Sequence, residues 1–214
     1  MSSTAIGSNR GMAAARSRAE KKLETRNRLI DAAGAVFARR GFHGASVEEV
    51  AAEAGLTTGA LYWHFKGKQE LFLALADQRV AARIEEIRTV NDRGGDASTL
   101  EHAIEQQFQE FIAREPEWPL LYYEFWVHGT RDPALSKEFT RRRRAVQTAI
   151  AEGIEQRAKT YGVELPIPAK QIALGLNALM NGLAFERIAD RRAVPNGLAG
   201  FLISRYLIGI LSRT

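Results

Sequence analysis

The 214-residue chain contains no cysteine and is 45% hydrophobic, a composition that supplies a buried core and excludes disulfides and thiolate metal sites. It has no apolar run of about 18 residues or more, and its N-terminus, MSSTAIGSNRGMAAARSRAEKKLE, lacks the apolar stretch of a secretory leader; no membrane span is expected, and the cytoplasm is the expected compartment. The net charge of +5 is unevenly placed, since residues 1–68 hold 11 Lys/Arg against 6 Asp/Glu and the other 146 hold 19 of each, which suits the first third to an anionic partner, nucleic acid ahead of a membrane surface.

Residues 1–20 are rich in Ser, Gly, Ala and Arg without a sustained apolar period, and are expected to form a disordered basic arm. Helical periodicity begins near Lys21, with Leu29, Ile30, Ala33, Val36 and Phe37 on one face, and Gly41 stops that helix after Arg39 and Arg40. Ser46-Val47-Glu48-Glu49 is a capping box, in which Ser46 and Glu49 each satisfy the other's backbone amide. The helix it opens buries Val47, Val50, Ala51 and Ala54 and ends at Gly55. Thr57 caps a third short helix, with Leu61 and Phe65 inward and Gly67 at its end. A longer helix follows from about Lys68 to Asn91. Asp92-Arg93-Gly94-Gly95-Asp96 breaks it and is the candidate hinge. Five further helices are predicted at about 98–113, 118–129, 133–161, 167–190 and 195–212, with Pro119, Pro133, Pro166, Pro168 and Pro195 at or near their starts. No segment reads as a strand ladder, so the fold class is all-α.

Residues 55–71, GLTTGALYWHFKGKQEL, concentrate hydroxyls, rings and positive charge on one short helix and its exit. Two short helices joined at Gly55, with Ala51 where they touch and Val50, Leu56 and Leu61 as anchors, form a helix-turn-helix. Three consecutive residues span most of a helix circumference, so Tyr62, Trp63 and His64 cannot all be core. The outward set of Thr57, Thr58, Tyr62, Trp63 and His64, followed by Lys66 and Lys68, matches what a DNA duplex asks for: hydroxyls, ring edges and lysines for phosphates, and tips for base edges in the major groove. Gly59 lets the helix approach the duplex closely.

Arg26 to Leu75 resembles the DNA-binding domain of the TetR family of bacterial transcriptional regulators. The resemblance rests on Ile30-Asp31-Ala32-Ala33 through Phe37, Gly41-Phe42, Ser46-Val47-Glu48-Glu49-Val50-Ala51, Ala54-Gly55-Leu56, Gly59-Ala60-Leu61-Tyr62, His64-Phe65 and Lys68-Gln69-Glu70-Leu71, and covers about 50 residues. It implies backbone contacts by Tyr62 and Lys68, recognition-helix positions at Thr57, Thr58, Gly59 and Trp63, and a phosphate contact by Ser46, with His64 partly facing the protein. It also implies a homodimer on a palindromic operator of double-stranded DNA. The expected organisation is a basic arm (1–20), a three-helix helix-turn-helix domain (21–68), and a larger helical ligand-binding and dimerisation domain (69–214) entered by a connecting helix (69–91). The arm, with Arg10, Arg16, Arg18, Lys21, Lys22 and Arg26, either adds DNA contacts or remains a solvated tail.

In the larger unit, Trp118, Tyr122 and Trp126 recur at i, i+4 and i+8, with Leu121, Phe125 and His128 on an adjoining stripe. These rings either wall a ligand pocket or pack as core. The segments 167–190 and 195–212 are too apolar for surface helices, and Gly175, Ala178, Gly182, Ala184 and Gly200 permit close helix approach. In the family the last two helices form a four-helix dimer interface. Asn177 and Asn181 either fix its register or enter the pocket beside Met180. Arg141 to Arg144 read as a solvated face. The histidines at 43, 64, 102 and 128 lack metal-ligand spacing, and no phosphate loop, nucleophile elbow or carboxylate pair is present, so neither metal, cofactor nor enzyme activity is expected. The expected function is a repressor released by a small-molecule effector, mainly apolar or planar given an aromatic, weakly charged wall. The alternative is a ligand-independent DNA-binding protein that acts through a protein partner.

Overall fold

The computed structural model describes the backbone of residues 6–92, 97–114 and 116–211. The described residues form helices in the order α1 (Ile6–Gly44), α2 (Val47–Glu53), α3 (Thr58–His64), α4 (Lys68–Asp92), α5 (Ala97–Arg114), α6 (Trp118–Gly129), α7 (Pro133–Tyr161), α8 (Ala169–Ala189) and α9 (Leu198–Leu211). The chain divides into two compact units, Met1–Leu75 and Ala76–Thr214.

Helix α1 begins at Ile6, well before the expected onset near Lys21. Residues 12–25 are almost wholly Ala, Arg, Lys, Glu, Met and Leu, which favour helix on propensity alone, without an apolar face. The backbone leaves helical geometry at Gly41, whose φ of 70° is open to glycine and costly for other residues. The candidate hinge at Gly94-Gly95 lies outside the described residues.

The core of the first unit gathers Leu29, Val36 and Phe37 of α1, Val50 and Ala51 of α2, Leu61 of α3, Phe65 after it, and Leu71, Phe72 and Leu75 of α4, all at most 2% exposed. Each large apolar side chain buried here contributes about 1.5–3 kcal/mol as an upper estimate. Phe37, Phe42 and Phe72 interlock at ring separations of 5.5–5.8 Å. Three anchors of this core stand on the first two turns of α4, which is why the unit extends to Leu75 where residue 68 was the expected boundary.

In the second unit α5 packs on α9, and α7 and α9 pack on α8. One apolar cluster holds Ile104, Ile154, Ile172, Leu176 and Ile203; another holds Phe108, Ala184, Val194 and Ala199. The expected small residues divide between two roles. A side chain at Gly175 would meet Tyr206, and one at Gly200 would meet the Glu101 carbonyl, so both glycines serve helix crossings within the chain. Nothing described stands within 4 Å of a side chain added at Gly182, which lies on an open face. No helix among the described residues is long and apolar enough to cross a membrane.

Candidate nucleic-acid interface and cavity of the second unit

The first unit builds its turn from local signals. Ser46 Oγ accepts from the Glu49 amide at 3.1 Å and Glu49 Oε2 accepts from the Ser46 amide at 3.0 Å, which completes the expected capping box. At the other end of α2 the Leu56 amide donates to Ala51 O and the Gly55 amide to Ala52 O, with Gly55 at φ 65°. This pair of bonds closes the helix through a left-handed residue. Arg28 Nη2 then donates to Ala54 O at 2.7 Å and fixes the turn from α1. The role of Arg28 was not foreseen; its carbonyl partner lies 26 residues downstream, and no spacing rule links them.

Thr57 caps α3 by accepting from the Ala60 amide at 3.2 Å. With that start, Leu61 and Phe65 fall inward at 0% and 1% exposure, while Tyr62 and Trp63 stand in water at 53% and 66%. Thr57 and Gly59 are exposed, and Thr58 is half-buried. Lys22 lies 4.5 Å above the Trp63 ring and Arg26 4.8 Å above that of Phe65, so the basic face of α1 is continuous with α3. His64 is half-buried, its ring edge-on to Trp63, with Nδ1 out of solvent and without a hydrogen bond. Burial, then the nearby charges of Lys22 and Arg26, hold its pKa below the ordinary imidazole value. Lys68 donates from Nζ to His43 O and Ala45 O, both at 3.0 Å, and lies 4.9 Å over the Phe42 ring. Two of its three donors therefore tie α4 to the end of α1, and one is left for an outside oxygen.

The second unit contains a cavity of about 190 Å³. Its wall comes from Arg79, Val80, Ala82, Arg83 and Glu86 of α4; Phe111 and Arg114 of α5; Trp118, Pro119, Tyr122 and Tyr123 of α6; Arg142, Arg143 and Val146 of α7; and Asn177, Met180 and Asn181 of α8. Trp118, Tyr122, Asn177, Met180 and Asn181 thus border one space, with Asn181 also exposed on the outer side of α8. Phe125 and Trp126, expected in this wall, are not in it. Phe125 is fully buried against Phe139 at 5.3 Å, and Trp126 is 44% exposed. Each i+4 step turns a helix side chain by about 40° and raises it by about 6 Å, so two steps from Trp118 carry Trp126 off the wall.

The wall is also more charged than the aromatic stripe implied, with five guanidiniums against the single carboxylate of Glu86. Glu86 bridges Arg83 at 3.2 Å and Arg114 at 3.4 Å. Arg142, only 3% exposed, is held by Asp77 at 2.6 Å and Glu138 at 2.9 Å and is structural, whereas Arg141, which shares the same two carboxylates, stays exposed with Arg143 and Arg144 as the expected solvated face. Burial raises the Tyr122 pKa, opposed by the fields of Arg143 and Arg142. Among the described residues no group of His, Asp and Glu is arranged to hold a metal ion.

Residues 29–75 match the family model described as bacterial regulatory proteins, tetR family, and residues 96–212 match that described as the C-terminal part of BetI-type transcriptional repressors. The chain belongs to the TetR family. Its relatives are helix-turn-helix transcriptional regulators and not enzymes. The HTH-type regulator YerO of Bacillus subtilis is 26% identical over 204 residues, a match covering 89% of this TetR-family chain and 67% of that protein. TtgW of Pseudomonas putida is 46% identical over 65 residues, 30% of this chain and 48% of its own length; the match thus spans about half of that relative. A transcriptional regulator from Rhodococcus sp. Rha1 superposes with a TM-score of 0.68 at 28% identity, covering 87% of this chain and 96% of that one. The agreement at Tyr62, Trp63 and Thr57 between outward geometry and family position makes α3 the candidate recognition helix.

Proposed function

We propose that this chain is a homodimeric repressor that binds a palindromic operator with two copies of α3 and is released from it by a small molecule in the cavity of the second unit. The observation that carries the DNA-reading part is the division of α3. Leu61 and Phe65 anchor it, while Tyr62, Trp63 and Thr57 are left to solvent beside Lys22 and the remaining donor of Lys68. Two such helices in a two-fold dimer meet successive major grooves at about 34–36 Å. The cavity supports the effector part, because ligand sites combine an apolar wall with a few convergent polar groups. Five of its wall residues, Arg79, Val80, Ala82, Arg83 and Glu86, lie on α4, the helix that also supplies Leu71, Phe72 and Leu75 to the first unit. An effector shifts the balance of two dimer geometries only by its differential affinity for them, about 1–3 kcal/mol in typical regulators.

The test is selection of bound duplexes from a random pool, followed by the salt dependence of the enriched sequences. A sequence with two inverted half-sites, bound with a steep salt slope and weakened by Tyr62→Ala, is the expected result. Absence of an enriched inverted repeat, or binding indifferent to Tyr62→Ala, refutes the operator reading. Release of that duplex by a compound that occupies the cavity then tests the effector reading.

A further inference from the structure

Taking the cavity as the effector site, we infer that its ligand is a small planar anion, an aromatic ring bearing a carboxylate or a comparable acidic group. The inference rests on that reading of the site and narrows it. Three observations carry it. The first is size: a buried apolar cavity of about 150 Å³ holds a benzene ring with room to spare, so about 190 Å³ admits a flat system of one or two fused rings with a short polar substituent.

The second is the ion pairing in the wall. Arg141 and Arg142 are balanced by Asp77 and Glu138, two cations against two anions, and contribute no excess. Arg83 and Arg114 share the carboxylate of Glu86, one oxygen each, and Arg114 also meets Glu110 at 3.8 Å. That set is balanced as well, two cations against two anions, so the positive excess of the wall lies outside it. Arg143 adds a further guanidinium from α7, close enough to act on the Tyr122 phenol.

The third is what the same wall rejects. Trp118, Tyr122, Tyr123 and Phe111 are the ring types that receive organic cations, but here the guanidiniums interleaved with them repel a cation. A neutral apolar ligand would cover the Arg143 guanidinium without giving its N–H groups an acceptor, and buried unmet donors oppose binding. A planar anion satisfies both parts of the wall: its face stacks on the rings, and its carboxylate takes paired N–H bonds from arginine.

The experiment is calorimetric titration of the full chain, without DNA, with three ligands of one shape: 2-naphthoate, 2-naphthamide and 2-naphthylmethylammonium. The expected result is naphthoate binding at least tenfold tighter than the amide, with no measurable binding of the ammonium. Arg143→Gln is expected to weaken naphthoate about tenfold and leave the amide unchanged, which also shows that the variant keeps the folded cavity. Equal binding of naphthoate and amide, a preference for the ammonium, binding of none of the three, or naphthoate affinity indifferent to Arg143→Gln overturns the ligand class. The same naphthoate is then added to the protein on its selected duplex. Charge-selective binding that leaves the duplex bound keeps the ligand class and refutes effector-driven release, so the two readings fail separately.

Discussion

Tyr62 and Trp63 keep their rings in water although the buried positions Leu61 and Phe65 flank them within two residues. Exposed side chains of this kind contribute little to folding, within about 0.5 kcal/mol when replaced. Tyr62→Ala and Trp63→Ala are therefore expected to leave the melting temperature nearly unchanged while each lowers operator affinity tenfold or more, read by melting and by duplex titration on the same samples. Lys68 behaves differently. Its ammonium holds the His43 and Ala45 carbonyls, so Lys68→Ala removes two charge-assisted bonds and is expected to destabilise the first unit by about 1–3 kcal/mol before DNA is added. His64 sets a pH dependence. In the unfolded chain its imidazole takes a proton near pH 6.5, and in the fold burial, with Lys22 and Arg26, holds that pKa lower. Below the unfolded value the unfolded chain binds the extra proton, so His64 contributes stability above pH 6.5 that is lost as the pH falls through the window down to the folded value. Melting temperatures of the parent chain and His64→Gln between pH 7.5 and 5.5 test this. The parent is expected to lose more stability on acidification than the variant, and parallel profiles would remove His64 as the cause.

At the scale of elements, the turn between α2 and α3 depends on backbone geometry rather than on contacts. Gly55 sits at φ 65°, with Arg28 Nη2 3.5 Å from where a side chain would begin, so the site has space but the wrong conformation for a branched residue. Gly55→Val is expected to cost about 1–3 kcal/mol in chemical unfolding, and Gly55→Ala less. An unchanged midpoint for the valine variant would mean that the turn relaxes freely. Such signals explain which helices were legible. The expected bounds 118–129 and 133–161 coincide with α6 and α7 because Pro119 and Pro133 open them and Gly162, left-handed at φ 65°, closes the second. The reach of α1 before Lys21 was not legible because residues 12–20 favour helix on propensity alone, with no apolar stripe to announce it. The cavity was half legible. The Trp118–Tyr122 face follows from one helix, whereas Arg79, Arg83, Arg114 and Arg143 come from three helices, and only tertiary packing brings them to one wall.

At the scale of the whole molecule, the exposed residues of α8 include one stripe along the helix. Leu174, Ala178, Asn181, Gly182 and Phe185 recur at i, i+4, i+7, i+8 and i+11, all exposed, with Leu174 at 49% and Phe185 at 45%. On α9, Phe201 is likewise 45% exposed. An isolated exposed apolar residue needs no explanation, but a stripe along a helix marks a contact surface. Its small residues at 178 and 182 admit a second helix, as the proposed dimer requires. Aspartate at both Leu174 and Phe185 is expected to leave the helical content intact and to convert a dimer into a monomer by sedimentation. The consequence for DNA is larger than for the fold. In a dimer the second α3 meets its half-site at high effective concentration once the first is bound, and this multiplies affinity without any new contact. A monomer loses that factor while keeping every residue of α3. The double variant is therefore expected to bind a full operator no more tightly than an isolated half-site. Full-operator affinity that survives in a monomer would separate DNA reading from dimerisation, and would assign the stripe on α8 to a different partner.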